Sequence, residues 1–119
     1  MACTLSHSGL LNYPEIASLV DQLKNHPAWR DSLSQEEIEA KLLKSSPYSF
    51  FLSPAEQEGL FYISFLDRND VVHRHVFRIV PDNRGKMGFK NGAHYIYQDI
   101  DDLVPVSIGC SSALCCPCD

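Results

Sequence analysis

The chain has 119 residues, 45% of them apolar, and a formal net charge of −5 at pH 7. Its length falls in the commonest range for one domain, its apolar content suffices for a buried core, and its acidic balance argues against general nucleic-acid binding. It has no apolar run long enough for a membrane-spanning helix, and its first residues lack the basic and apolar regions of a secretory signal.

The basic residues are concentrated in one part of the chain. Six of the ten Lys and Arg residues lie between positions 68 and 90: Arg68, Arg74, Arg78, Arg84, Lys86 and Lys90. An acidic protein with one basic segment favours a local anionic ligand over a long polyanion.

The first predicted helix begins near Tyr13-Pro14. Its apolar residues follow the i, i+3, i+4, i+7 spacing of one helix face: Ile16, Leu19, Val20 and Leu23. Pro14 suits the first helical turn, and Asn25-His26-Pro27 ends the segment.

A second helix is predicted after Ser34. Ser34 and Glu37 have the spacing of a capping box, in which each side chain accepts a hydrogen bond from the other residue's backbone. Leu33 and Ile38 occupy the hydrophobic staple positions, and the apolar face continues to Leu42.

Three antiparallel strands are predicted next, at Ser49–Leu52, Leu60–Leu66 and Val71–Val80. Alternating side chains indicate the second and third strands, and the Asp67–Asp70 turn joins them. In the third strand the alternation places two groups on opposite faces, namely His73, His75, Phe77 and Ile79 on one and Arg74 and Arg78 on the other.

The last predicted elements are short. Asn91-Gly92 is a preferred type I′ pair and predicts a small hairpin, and the acidic residues around Asp99–Leu103 suit the first turn of a helix. The order of elements predicts an α+β fold: a central antiparallel sheet flanked by two helices, with an extra N-terminal helix.

The order of these motifs resembles the Src homology 2 family. The matching features are Trp29, the capped helix through Leu33-Ser34-Gln35-Glu36-Glu37-Ile38-Glu39 to Leu42, the strand Ser49-Phe50-Phe51-Leu52-Ser53, the hairpin containing His73 and His75, and the closing segment from Tyr95 to Asp102-Leu103-Val104. The resemblance covers residues 29–106. The compact form and the basic third strand also look similar to versions found in effectors of intracellular bacteria.

The resemblance implies a non-catalytic module that binds a peptide, in the family a tyrosine-phosphorylated one. Ser53 stands where the family carries its phosphate-binding arginine, and Gln35 stands where a second arginine often occurs. A replacement cation would come from the third strand. The candidate ligand-binding residues are therefore Ser53, Gln35, His73, Arg74, His75 and Arg78.

An alternative to phosphate binding remains open. The histidines are also explained as half-buried strand residues, and the arginines as solvated charges that protect a sheet edge. The domain would then be a structural interaction module with a vestigial pocket and no phosphate dependence. In that case an aromatic surface would mediate its contacts, formed by Phe50, Phe51, Phe61, Tyr95 and Tyr97.

No enzyme, cofactor or metal site is predicted. The sequence has no nucleophile elbow, no phosphate-cradling glycine loop and no His-Glu-x-x-His motif. His73-x-His75 directs two imidazoles to one side, but only His94 offers a third ligand, and it has no local spacing to them.

The end of the chain is a cysteine-rich tail. Four of the five cysteines lie in the last ten residues: Cys110, Cys115, Cys116 and Cys118. A secreted disulfide framework would distribute its cysteines through the fold, so we predict a reducing, cytoplasmic location. Three explanations of the tail are open: S-acylation of Cys115, Cys116 and Cys118 as a membrane tether, binding of a soft metal, or incidental thiols.

These observations divide the chain into three parts. Residues 1–28 form an N-terminal extension with one helix, residues 29–106 the Src homology 2-like domain, and residues 107–119 the cysteine-rich tail. If the protein is an effector, the predicted compartment is the cytosol of the host cell.

Overall fold

A central sheet organises the protein. The computed structural model describes residues 14–92, 95–109 and 116–117. Within them the strands are β1 (Ser49–Pro54), β2 (Leu60–Leu66), β3 (Val72–Pro81), β4 (Met87–Lys90) and β5 (Cys116–Pro117). The helices are α1 (residues 14–24), α2 (Gln35–Leu43) and α3 (Ile100–Ile108).

The strands lie in the order β4-β3-β2-β1-β5. Strands β1 to β4 form an antiparallel meander, whereas β5 pairs in parallel with β1 through Ser49 and Phe50. The predicted α+β class with an antiparallel sheet and flanking helices is confirmed.

The two faces of the sheet pack against different helices. One face packs against α1 and α3 and forms the larger core, which includes Leu19, Leu23, Phe50, Leu52, Phe61, Ile63, Phe65, Phe77, Phe89, Leu103 and Val104. The other face packs against α2 in a smaller cluster of Ile38, Leu42, Phe51 and Leu66. Successive strand residues therefore enter separate cores, as a period of two requires.

The capping box predicted for α2 is present. Ser34 Oγ accepts a hydrogen bond from the Glu37 N–H at 3.1 Å, and Glu37 Oε1 accepts one from the Ser34 N–H at 2.9 Å. These contacts satisfy donors at the start of the helix, whose buried residues are Ile38 and Leu42.

The closing helix is longer than predicted. It extends past Leu103 to Ile108 and ends at Gly109, whose φ of 82° suits glycine. The sequence predicted a helix only around Asp99–Leu103, whereas the observed helix continues through Pro105, which lacks the N–H that an interior residue donates. Burial of Val104, Ser107 and Ile108 against the sheet side of the fold favours the extra turn.

Side-chain hydrogen bonds attach α1 to the rest of the fold. Glu15 accepts the Met87 N–H at 2.8 Å, and Gln22 accepts the Ile100 N–H at 2.6 Å. Beyond the helix, His26 Nδ1 accepts the Ala28 N–H at 3.0 Å, while its Nε2 lies 2.8 Å from Asp101 Oδ1. Because Nδ1 is an acceptor, the hydrogen of the neutral ring is on Nε2 and is donated to the carboxylate.

The hairpin predicted at Asn91-Gly92 is present in the described residues as an isolated bridge. Phe89 and Tyr97 exchange backbone hydrogen bonds of 2.7 and 2.8 Å, so residues 95–97 pair with β4 at this one position. Gly92 does adopt the positive φ that the Asn-Gly pair predicts, at 101°.

The predicted aromatic surface is wrong for three of its five residues. Phe50, Phe51 and Phe61 have exposed fractions of 2%, 0% and 7%. Their positions on β1 and β2 place them in the two cores. Tyr97 is half-buried, and Tyr95 is 71% exposed.

The β2–β3 turn contains a strained residue that offers a stability test. Asp70 has a φ of 63°, in the left-handed region that side chains other than glycine disfavour. We expect Asp70→Gly to raise the free energy of unfolding by up to about 1 kcal/mol, after allowing for glycine's freedom in the unfolded chain. Asp70→Ala removes the same charge but keeps a Cβ, so it should lower stability. Urea denaturation measures both, and equal shifts would contradict the assignment to strain.

The β3–β4 turn predicts acid sensitivity. Asp82 Oδ1 accepts the N–H groups of Arg84 and Lys86 at 2.8 and 2.9 Å, and these bonds lower the pKa of Asp82. A lowered folded-state pKa contributes stability above the unfolded pKa of about 3.9, which is lost as the pH falls through the folded value. Asp82→Asn keeps an oxygen acceptor without titrating. We therefore expect the Tm of the wild type to fall more steeply below pH ~4 than that of Asp82→Asn; parallel curves would contradict this.

Candidate functional site

A small polar cleft lies between α2 and the adjacent face of the sheet. Its volume is about 120 Å³, and its walls are Arg30, Asp31, Leu33, Gln35, Ile38, Ser53, Pro54, Glu56, Tyr62 and Arg74. Three of the six candidate ligand-binding residues, Ser53, Gln35 and Arg74, line this one cleft.

Strand register positions the cleft residues. Ser53 on β1 pairs with Tyr62 on β2, and Arg74 on β3 pairs with Ser64 on β2. Because alternate residues share a face, Ser53, Tyr62 and Arg74 all project towards α2. Gln35 is the first residue of that helix and completes the wall opposite the sheet.

Arg74 is the third-strand cation at this site. Its Nη1 donates to Gln35 Oε1 at 3.2 Å, and its guanidinium carbon lies 4.2 Å from the centroid of the Tyr62 ring. This stacking is a cation–π contact, which orients the planar guanidinium while the side chain stays exposed. A guanidinium held in this way presents a fork of donors suited to a phosphate or carboxylate.

Arg30 is a second cation of the cleft, and sequence reasoning missed it. Its Nη1 donates to the carbonyls of Trp29 and Pro27 at 2.7 and 2.9 Å, and its guanidinium lies 5.5 Å from the Phe51 ring centroid. A parallel bridge between Trp29 and Leu52 brings this segment beside β1. The available signal was its position directly after the Trp of the family pattern.

Two carboxylates oppose the arginines. Asp31 and Glu56 line the same cleft, and Glu56 Oε2 accepts the Tyr62 hydroxyl at 2.7 Å. This hydrogen bond lowers the pKa of Glu56 and raises the pKa of Tyr62. Glu56 is therefore ionised and Tyr62 protonated at neutral pH, so the cleft contains charges of both signs.

His73 and His75 lie on the opposite face of the sheet from Ser53. Both rings contact Phe65, with centroid separations of 5.1 and 5.3 Å, and His73 Nε2 lies 2.7 Å from Asp67 Oδ2. The contact with His73 and the N–H groups of Val71 and Asn69 lower the pKa of Asp67. The predicted grouping of the histidines away from Arg74 is confirmed. Their inclusion in one pocket with Ser53 is not met, because odd and even residues of β3 face different helices.

Arg78 lies on the Arg74 face but outside the cleft. It pairs with Leu60 on β2 and with Lys90 on β4. Arg78 is exposed and lies four positions beyond Arg74 on β3. It therefore adds a positive charge near the cleft without lining it.

Two of the larger cavities are more apolar. One of about 400 Å³ lies between α1 and the β1–β2 loop, lined by Ile16, Val20, Ala55, Leu60, Phe61 and Ile79 among others. Another of about 270 Å³ adjoins His26, Phe50, Asp101, Val104, Pro105 and Pro117. Neither gathers the cationic and hydrogen-bonding groups of the α2 cleft.

No group of three or more His, Cys, Asp or Glu side chains suited to a metal occurs among residues 14–92, 95–109 and 116–117. In those same ranges no helix is long and apolar enough to cross a membrane. His94, Cys110, Cys115, Cys118 and the side chain of Cys116 lie outside the described residues; the backbone of Cys116 belongs to β5.

Comparison with known proteins adds no relative: the chain matches no protein-family model and no curated protein sequence.

Proposed function

We propose that the protein is a non-catalytic, peptide-binding module that resembles a Src homology 2 domain and takes its phosphate-binding cation from β3. The observation that carries this proposal is the position of Arg74, whose guanidinium lines the same cleft as Ser53 and Gln35. Arg74 supplies the charge that Ser53, in the strand position where the family has its arginine, does not.

The local contacts of Arg74 support a phosphate ligand. Stacking on Tyr62 and the hydrogen bond to Gln35 reduce the conformational freedom of the guanidinium before a ligand binds. A phosphoryl group would replace the neutral Gln35 acceptor by charged oxygens, which add ion pairing and a bidentate geometry that one amide oxygen does not offer to the guanidinium. Gln35 is then free to donate its amide N–H to the phosphate.

The carboxylates in the cleft limit the strength of that binding. Glu56 and Asp31 repel an anion, and the family arginine is absent from β1. We therefore propose modest affinity, in which contacts to the rest of the peptide contribute as much as the phosphate.

A second function has a specific observation in its favour. Arg74 already has Gln35 and Tyr62 as partners, and Glu56 supplies a negative charge beside it. The same geometry would serve an interaction domain without phosphate dependence. Exposed Val76 and Tyr95, at 45% and 71%, provide apolar contact area for it.

The location and role of the module belong to the same proposal. We propose a cytoplasmic signalling protein, with the host cytosol as its place if it is an effector. Acylation of Cys115, Cys116 or Cys118 would add a membrane tether.

Substitution of Arg74 tests the phosphate site. We expect Arg74→Gln to weaken binding of a tyrosine-phosphorylated peptide by about 10- to 150-fold, since a hydrogen bond to a charged group contributes about 1.5–3 kcal/mol. Arg74→Lys keeps the charge but loses the planar fork, so its loss should be intermediate. Fluorescence anisotropy against a degenerate phosphotyrosine peptide library and its unphosphorylated copy measures both.

Arg78→Gln is the matched control for Arg74. It removes the same charge from the same face of the same strand, outside the cleft, and should cost little. Two results would contradict the phosphate site: equal losses of affinity in the two variants, or equal affinity for the phosphorylated and unphosphorylated peptides. Either result would favour the interaction domain without phosphate dependence.

Substitution of Glu56 should act in the opposite direction. Glu56→Gln keeps an acceptor for the Tyr62 hydroxyl but removes a negative charge from the cleft wall. We expect phosphopeptide binding to tighten about two- to fivefold at low salt, with a smaller gain at high salt. Glu58→Gln in the same loop makes the same change in net charge without lining the cleft. A comparable gain from both variants would show that only net charge matters.

A further inference from the structure

Over the first half of β3, one edge has no strand partner among the residues that the structure describes. The strand has ten residues, but β4 pairs with it only from Arg78 to Pro81. Over positions 72–77, the one pairing that the structure shows among residues 14–92, 95–109 and 116–117 is with β2. This open edge belongs to the strand that carries Arg74.

The pairing pattern identifies the backbone groups on the open edge. The Asp67 N–H donates to the Val71 carbonyl at 2.9 Å, so odd-numbered residues from Val71 to Phe77 direct their backbone groups towards β2. At the other end the Asp82 N–H donates to the Lys86 carbonyl at 2.8 Å, so even-numbered residues face β4. Val72, Arg74 and Val76 therefore direct their N–H and C=O groups outwards.

We propose that the peptide bound by this protein adds as an extended strand to the edge of β3, with its acidic or phosphorylated residue beside Arg74. This inference rests on the proposed function and deepens it, because it assigns the direction and backbone contacts of the ligand. Main-chain bonds to Val72, Arg74 and Val76 hold the peptide, and alternate side chains are read on the two faces of the sheet.

The side chains along the edge select an anionic strand. Arg74 offers its guanidinium on the α2 face, next to Val76, which is 45% exposed and suits an apolar peptide residue two positions from the acidic one. On the other face His73 and His75 lie against Phe65. The peptide with the best fit is extended, with an acidic or phosphorylated residue and an apolar residue at i and i+2.

The same charges disfavour a second copy of this chain as the occupant. An antiparallel pairing of two β3 edges that uses all three outward residues is centred on Arg74. It would place Arg74 directly opposite Arg74 of the other copy, and like charges at directly opposite positions are destabilising. Arg74 at this edge therefore disfavours pairing with the same edge of a second copy and favours pairing with an acidic strand.

Amide hydrogen exchange provides a residue-level test on the full chain. The probes are a tyrosine-phosphorylated peptide selected from the degenerate library and its copy with Glu in place of the phosphotyrosine. On binding, we expect exchange at the amides of Val72, Arg74 and Val76 to slow at least tenfold. Those of His73, His75 and Phe77 already pair with β2 and should change little.

Two further measurements test the backbone contacts from both sides. N-methylation of the peptide at successive residues should weaken binding at alternate positions and spare those between. On the protein, Val76→Pro removes an outward N–H without breaking a β2 pair, as edge strands permit, and should weaken binding at least fivefold. Val76→Thr keeps the N–H and a similar shape but loses apolar contact, so its loss of binding should be smaller than that of Val76→Pro; equal losses would contradict a role for the Val76 N–H.

The outcomes separate this inference from the proposed function. One outcome is binding that depends on phosphate and on Arg74, while neither the β3 amides nor the N-methylated peptides show an effect at alternate positions. That result overturns the edge inference and leaves the proposed function standing. Alternate protection by the Glu peptide, with no gain from phosphate, supports the edge and overturns phosphate recognition. Protection that depends on protein concentration without peptide identifies a second copy and overturns the proposal. Absence of binding by both peptides overturns both.

Discussion

The pairing register of β1, β2 and β3 determines which strand residues enter each core and which ones line the cleft. A shift by one residue would exchange the two faces, moving Phe50, Leu52 and Ile63 out of the large core. Fully burying one such side chain contributes about 1.5–3 kcal/mol, so the burial of many of them enforces a single register. That register also places Ser53, Tyr62 and Arg74 together. The cleft beside α2 thus follows from the same constraint that forms the core.

Charge in the cleft is balanced rather than uniformly positive. Two arginines, Arg74 and Arg30, and two carboxylates, Glu56 and Asp31, line the same cleft of about 120 Å³. On the proposed function, an anion would have to displace the contact between Arg74 and Gln35 before it gains its own, so recognition would depend on geometry more than on long-range attraction. The proposed strand addition at β3 would complement this, because backbone hydrogen bonds do not depend on the sign of the ligand's charge.

Local patterns in the sequence predicted much of the fold. The Ser34–Glu37 capping box, the alternation along β2 and β3, and the separation of the histidines from Arg74 are short-range features, and all are present. Tertiary features were not predictable in the same way. Periodicity shows that His75 and Arg74 face opposite sides, but not which side α2 covers. Arg30 reaches the cleft through a bridge to a strand more than 20 positions away, so no local spacing reveals it.

A short relay of hydrogen bonds connects the start of α3 with the strand that carries Ser53. Asp101 holds the ring of His26, His26 accepts the Ala28 N–H, and the Ala28 carbonyl accepts the Leu52 N–H at 2.9 Å. The Leu52 carbonyl in turn accepts the Arg30 N–H at 2.8 Å. These hydrogen bonds connect the backbone beside two cleft residues, Ser53 and Arg30, to a helix on the other side of the sheet. The backbone next to Ser53 and Arg30 is therefore held by hydrogen bonds that lead to α3, a helix that does not line the cleft.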